Sequence, residues 1–475
     1  MRRTKIVATM GPACDTPEIM ERLILAGVDL IRLNLSHGSR DEHRQRAALV
    51  RELSKRHNRA VALLLDLQGP KIRIGKFIDG AVKLVEGQPF TLDTDLDENG
   101  GNLHQVSVTY KKLAKDVRPE HVLVLDDGRI SLKVTEVVGS RIQCTVLVGG
   151  KLSSLKGINL QGGGLSAPAL TEKDIEDIHL AAEIGADYLA VSFPSCAHDM
   201  EHARSLLRQA GGEGALVAKI ERAEAIEALD EIIAVSDAIM VARGDLGVEV
   251  GDAELPAMQK RIIRQARKLS RAVIVATQMM ESMIQQPVPT RAEVFDVANA
   301  VYDGTDAVML SAETATGQYP DKAVQAMGRI CEEAEKQRID RAEDRRFRAP
   351  TPRVDQAIAA AAMYTANKLN CKALIALTES GMTALWMSRI ESEIPIYGLS
   401  GKEQCLRRMA LYRGVTPIYF NPRDYDYQQV NQAAIAVLRQ KVGLSPGDSV
   451  ILTKGDHKGV RGGTNSMKIL VVSDS

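Results

Sequence analysis

The chain has 475 residues, 61 lysines and arginines against 61 aspartates and glutamates, and only 4% aromatic residues. A zero formal charge provides no field to draw in nucleic acid or an anionic membrane, and so few rings leave little surface for base stacking. No apolar run approaches the roughly 18 residues of a membrane span, and the stretch behind Met1-Arg2-Arg3 is too short for a secretory signal. The six cysteines (Cys14, Cys144, Cys196, Cys331, Cys371, Cys405) are scattered, without a Cys-x-x-Cys pair. The expectation is a cytoplasmic protein of two or three domains with reduced thiols, partnered by neither nucleic acid nor membrane.

In chain order, short apolar strands are predicted over residues 5–9, 29–33 and 61–65, then, after an interruption, over 187–192, 215–220, 237–242, 272–276 and 306–310. Amphipathic helical stretches lie between most of them, among them 17–25, 173–184 and 255–269, and Thr171-Glu172-Lys173-Asp174 has the pattern of a capping box. Eight strands alternating with helices make an α/β chain closing into a parallel (β/α)8 TIM barrel, with its chemistry on the rim at the carboxyl ends of the strands. Those ends read Arg32/Asn34/Ser36, Asp66, Phe193, Lys219/Glu221, Arg243/Asp245, Thr277 and Ser311.

The interruption, from about residue 72 to 167, loses the helical period. Short strands over 81–85 and 141–148, and a hairpin over 122–130 around Asp127-Gly128, predict a small all-β domain inserted on the rim as a lid. A charged linker over 336–353 precedes helices at 354–369, 383–390 and 427–441 and strands at 373–377, 395–399, 450–452 and 467–472. That alternation predicts a separate open α/β domain. The expected division is a barrel from 1–70 and 168–345, a β-barrel lid over 71–167 and a C-terminal α/β domain over 346–475.

Two strand-end acids, Glu221 and Asp245, beside Lys219 suit a small hard divalent cation next to a phosphate. Lys219 can neutralise a phosphoryl group in flight, and the planar guanidiniums of Arg32 and Arg73 can grip phosphate oxygens two at a time. Gly244 lets backbone amides approach a substrate carboxylate closely. The segment Thr378-Glu379-Ser380-Gly381-Met382-Thr383, between a strand and a helix, offers hydroxyls and amides to a phosphate. The residues by themselves also leave open a metal-dependent aldolase or lyase acting on a pyruvate enolate.

The ordered series Thr4-Lys5-Ile6-Val7-Ala8-Thr9-Met10-Gly11-Pro12, Arg32-Leu33-Asn34-Leu35-Ser36-His37-Gly38, Lys219-Ile220-Glu221-Arg222, Ala242-Arg243-Gly244-Asp245, Ala276-Thr277-Gln278-Met279 and Leu310-Ser311-Ala312-Glu313-Thr314 resembles the pyruvate kinase family. The match runs along essentially the whole chain. The resemblance implies transfer of the phosphoryl group of phosphoenolpyruvate to ADP, giving pyruvate and ATP in the last step of glycolysis. It implies Mg2+ or Mn2+ on Glu221 and Asp245, and substrate contacts from Arg32, Lys219, Gly244, Asp245 and Thr277. Thr277 and Ser311, with water, are implicated in proton transfer. Asn34, Arg73, Lys156, Pro12 and His37 are implied at the nucleotide. It also implies a homotetramer activated by a sugar phosphate or AMP at Thr378, Ser380, Gly381 and Thr383, with Lys454 and Arg461 from a late glycine-rich loop. Family members usually need K+, held among groups matching Asn34, Ser36, Asp66 and the carbonyl of Leu67. Here Lys71 stands where they carry a glutamate, which resembles the K+-independent branch and predicts a tethered cation in place of the mobile one.

Overall fold

Strands that are apolar and buried on both faces have to be covered on both sides, and a barrel ringed by helices does this without leaving a sheet edge. In the computed structural model, which describes residues 2–337, 353–426, 428–457, 459–460 and 462–473, eight such strands close into one parallel barrel. They are β1 (Lys5–Thr9), β2 (Leu30–Asn34), β3 (Ala62–Asp66), β4 (Tyr188–Val191), β5 (Ala215–Ile220), β6 (Ala238–Ala242), β7 (Ala272–Ala276) and β8 (Ala307–Leu310). Each pairs with its neighbours in sequence order, and β8 closes on β1. All eight fall where the apolar runs placed them.

Five strands start one residue later than predicted, four of them for one shared reason. Asp29, Asp187, Asp237 and Asp306 stand just before β2, β4, β6 and β8, and their carboxylates accept the amides of Ile6, Leu63, Leu216 and Val273 at 2.9, 2.9, 2.7 and 2.9 Å. Each acid thus satisfies an amide on a neighbouring strand at the amino end of the barrel. The helices obey their end signals: Glu172–Ile184 opens on the Thr171/Asp174 capping box and stops at left-handed Gly185, φ +67°.

The insert departs from the expected β-barrel. Six strands form one open sheet, and Ala81–Leu84 pairs only with Gly150–Ser153 in a second, two-stranded sheet. The corner is Gly149–Gly150, where Arg141–Val148 leaves the larger sheet. A Cβ on Gly149 would lie 2.5 Å from the Leu84 carbonyl, so only glycine allows so tight a turn. Both sheets cover one apolar core containing Phe77, Phe90, Leu123 and Ile142. The predicted hairpin turn is present, with Asp126, Asp127 and Gly128 all at positive φ.

The C-terminal sheet has five strands, with Ala373–Leu377 central and Thr464–Val471 an antiparallel edge. Its other edge, Val415–Tyr419, is missing from the sequence reading because Pro417 interrupts it; proline, lacking an amide hydrogen, is tolerated at a sheet edge. This domain packs against the amino ends of the barrel strands. Arg389 pairs with buried Asp306, Arg407 with Asp187 at 2.8 Å, and the Tyr188 hydroxyl donates to the Arg408 carbonyl at 2.7 Å. Most of the predicted linker, with Tyr427 and Arg461, lies outside the described residues. No helix among the described residues is long and apolar enough to cross a membrane.

Candidate active site

At the carboxyl rim, β2, β3 and β5 converge on a buried charge cluster. Asp66, at the end of β3, is fully buried; it accepts from Arg32 Nε at 2.7 Å and lies 3.3 Å from Lys219 Nζ. Lys219 Nζ also reaches Glu221 Oε1 at 3.0 Å and donates to Ser192 Oγ at 2.7 Å. Burial opposes charge on Asp66, but Lys219 and Arg32 outweigh it and hold the carboxyl below its usual range. Burial likewise opposes the Lys219 ammonium, and Asp66 with Glu221 raise it instead. Glu221 goes the other way. Burial pushes its carboxyl up, Lys219 counters, and the nearby Asp245 and Asp66 push it further.

That imbalance bears on a metal. Among the described residues no group of three or more His, Cys, Asp or Glu side chains could hold an ion by itself. What the rim offers is two nearby carboxylates: Glu221, whose lysine does not outweigh burial and the neighbouring acids, and Asp245. The donor set fits a cation such as Mg2+ that completes its octahedron with water and substrate oxygens.

Asp245 lies in the first turn of the helix Arg243–Val250, which follows directly from β6 and has no side-chain cap. The Gly244 amide donates to Thr277 Oγ1 at 2.9 Å. Thr277 and Gln278, just past β7, have φ of +70° and +53°, a region costly for a β-branched residue. Arg243 secures this turn, donating from Nη2 to the Thr277 and Gln278 carbonyls at 2.7 and 3.1 Å while Nη1 pairs with Asp296 at 2.7 Å. The Thr277 hydroxyl is thereby aimed at the first turn of the helix that carries Asp245. Ser311, after β8, is held through its amide, which donates to Glu313 Oε2 at 2.7 Å.

The arrangement differs from expectation at Lys71. Its ammonium lies 2.9 Å from Asp245 Oδ1 and not among Asn34, Ser36, Asp66 and Leu67. Both oxygens of Asp66 are already taken by Arg32 and Lys219, so the lysine goes to the more exposed rim acid. The Leu67 carbonyl accepts from Ser192 Oγ at 2.7 Å, and Asn34 Oδ1 from the Ser36 amide at 3.2 Å. Pro12 and His37 are exposed on the rim loops, and the His37 carbonyl contacts His43 Nε2 at 2.9 Å. Arg73 and Lys156 find partners within the lid: the guanidinium donates to the Leu155 carbonyl at 3.0 Å, and the ammonium lies 2.7 Å from Asp126.

Sequence reasoning gave no role to Ser192, Arg243 and Glu313. Each lies within or beside a motif already singled out, but a partner comes from another strand end, for Glu313 the Met280 amide at 3.1 Å.

In the C-terminal domain, Thr378, Ser380, Thr383 and Lys454 line one pocket with Gly455, His457, Gly459, Val460 and Thr464. Thr378 Oγ1 accepts the Gly381 amide at 2.9 Å; Gly381, at φ +83°, caps the short helix Met382–Ser388. Thr383 Oγ1 is engaged with Thr464 Oγ1 at 2.9 Å.

Comparison with known proteins agrees with this architecture. The family model "Pyruvate kinase, barrel domain" matches residues 1–324, and "Pyruvate kinase, alpha/beta domain" matches 356–470. The chain is 54% identical over 476 residues to pyruvate kinase II of Salmonella typhimurium, and 53% identical over 476 residues to a pyruvate kinase of Buchnera aphidicola, covering 99% of the chain and 99% of the relative in both cases. A crystal structure of a pyruvate kinase from Cryptosporidium parvum superposes with a TM-score of 0.92 at 33% identity, covering 99% of this chain and 96% of that one. The chain belongs to the pyruvate kinase family, the kinases that transfer the phosphoryl group of phosphoenolpyruvate to ADP.

Proposed function

We propose that the transfer takes place at the rim cluster of Arg32, Lys219, Glu221, Gly244, Asp245 and Thr277, in a catalytic barrel formed by residues 1–70 and 168–345. The observation that carries this is Lys219, only 12% exposed, whose ammonium is within 3.3 Å of both Asp66 and Glu221 and beside Arg32. Lys219 and Arg32 neutralise and orient the phosphoryl group while it is bonded to neither oxygen. The Asp245 amide and the Thr277 hydroxyl, which the Gly244 amide holds in place, bind the substrate carboxylate at a helix amino terminus. Thr277 and Ser311, through water, deliver the proton that turns enolpyruvate into pyruvate. Glu221 and Asp245 would hold a divalent cation, Mg2+ as the family generally uses or Mn2+, which would supply the positive charge an anionic substrate needs there. The lid over 71–167 brings Arg73 and Lys156 to the nucleotide, which meets Asn34, Pro12 and His37 from the barrel. The test is ADP-dependent pyruvate formation: Lys219→Met should lower kcat by about 10³-fold with the fold intact, and wild-type turnover in that variant would defeat the assignment.

Lys71 supports K+ independence. It stands where the family carries a glutamate and brings a tethered positive charge to the rim, paired with Asp245 at 2.9 Å. Full turnover with Mg2+ in K+-free Tris is expected; turnover that needs KCl would refute it. The pocket of Thr378, Ser380, Thr383 and Lys454, beside Gly381 in the C-terminal domain over 346–475, supports activation by a sugar phosphate or AMP. Arg461 is assigned to the same site on the family pattern alone. A panel of these effectors should sharpen phosphoenolpyruvate saturation, and flat kinetics across the panel would count against the pocket.

Exposed apolar side chains on two separate elements support a homotetramer: Phe295, 71% exposed, with Val294 on the helix Arg291–Tyr302, and Val471, 62% exposed, with Ile469 on the edge strand Thr464–Val471. Sedimentation at the mass of one 51.7 kDa chain would exclude it.

A further inference from the structure

The lid joins the barrel through two crossings, and both line one small cavity with two acids that the reaction does not use. Pro70, Lys71 and Ile72 come from the outgoing crossing, Ile158, Asn159 and Leu165 from the returning one, and Glu224 and Glu249 from the barrel rim. The returning crossing contains Gly162, Gly163 and Gly164 at φ +87°, +80° and +102°. Three consecutive residues in the left-handed region form a hinge only glycine makes at low cost.

The hinge is tied down at both ends. The Gly162 amide donates to the Glu249 carbonyl at 3.0 Å, and the Gly164 amide donates to Glu224 Oε1. A Cβ on Gly163 would lie 2.9 Å from both oxygens of Glu224, so the middle of the hinge packs directly on that carboxylate. The Glu249 carboxylate in turn accepts the Ala223 amide at 2.8 Å, and the Asn159 side chain lines the same cavity. Glu249 therefore joins the lid to the helix Ala223–Glu227, which carries Glu224. It also sits in the last turn of Arg243–Val250, whose first turn carries Gly244 and Asp245. One rigid helix thus has the lid hinge at one end and the rim acid at the other.

We infer that Glu224 and Glu249 form a latch seating the lid's returning hinge on the rim, and that Glu224 is a positioning residue for phosphoryl transfer although it touches no reacting atom. A lid pivoting on three glycines has many orientations, and fixing one removes conformational freedom that would otherwise be lost in the transition state. The inference rests on the rim cluster being the place of transfer.

The experiment compares Glu224→Ala, Glu224→Gln and Glu221→Gln in the full chain. Pyruvate formation at saturating and limiting ADP is measured, with amide hydrogen exchange. Glu224→Ala should lower kcat about ten-fold or raise KM for ADP by a similar factor. KM for phosphoenolpyruvate, held by barrel groups, should stay within two-fold. Exchange should quicken over residues 158–166 and not in the barrel strands. Glu224→Gln, which keeps an acceptor oxygen for Gly164, should restore most of the loss. Wild-type kinetics in Glu224→Ala, exchange quickened throughout the chain, or no recovery with Gln would overturn the latch. Glu221→Gln separates the two readings: if it is inactive while Glu224→Ala behaves as wild type, only the latch fails, whereas a fully active Glu221→Gln removes the rim site.

Discussion

The two ends of the barrel both hold buried carboxylates and are electrostatic opposites. At the amino end, Asp29, Asp187, Asp237 and Asp306 each accept a strand amide and pair with an arginine: Arg2, Arg51 with Arg407, Arg204, and Arg389. Asp29 and Asp306 are held below the usual carboxylate range, because the facing arginines outweigh the penalty of burial. At the carboxyl end Asp66 is equally well matched, but Glu221 is raised, and Asp245, 20% exposed, pairs with Lys71. Buried charge that the protein neutralises itself serves stability and domain docking. Buried charge left short of a cation marks where a metal and an anionic substrate complete the balance.

Exchanging the two kinds of acid breaks the comparison most sharply. Asp245→Asn or Glu221→Gln should lower kcat by about 10³-fold, while the thermal midpoint moves by no more than about 3 °C. Coupled assay and calorimetry on the same preparation check both halves. Asp306→Asn should do the reverse. Asparagine still accepts the Val273 amide but leaves the Arg389 charge, 3% exposed, without its carboxylate. A loss of about 3–5 kcal/mol in denaturant unfolding is expected, with kcat of the folded fraction unchanged.

Glu249 extends the contrast to pH. Burial, with Glu224 adding to it, pushes its carboxyl up to about 7 from 4.5. Below the unfolded value both states hold the proton and there is no penalty. As pH rises from 4.5 to about 7 the unfolded chain releases it first, so stability falls through that window. Glu249→Gln should remove this slope and be the more stable protein at pH 8 by up to about 3 kcal/mol. Parallel unfolding curves for the two proteins across the window would contradict it. The smallest effect is at the periphery of the amino end: Arg407→Ala leaves Asp187 its Arg51 partner, so about 1 kcal/mol should be lost.

Much of this was legible in one dimension. A strand buried on both faces must read as a continuous apolar run, so all eight barrel strands and the rim residues closing them could be located by pattern. The caps at Thr171 and Gly185 are local chemistry and were equally readable. What sequence could not supply was pairing between distant segments. Lys71 and Asp245 are 174 residues apart, and which acid the lysine takes depends on Asp66 being already occupied. The Gly149–Gly150 corner, which divides the lid into two sheets, and the proline-bearing edge strand depend on which neighbours are within reach. The docking of Arg389 and Arg407 on aspartates at the barrel floor likewise follows from the closed barrel presenting those aspartates on one face. Sequence by itself determined the apolar periodicity, the end signals and the chemical inventory of the rim, because those follow from each residue and its near neighbours. Only the tertiary structure decided which charges are neutralised, because that depends on the charges and solvent facing each one.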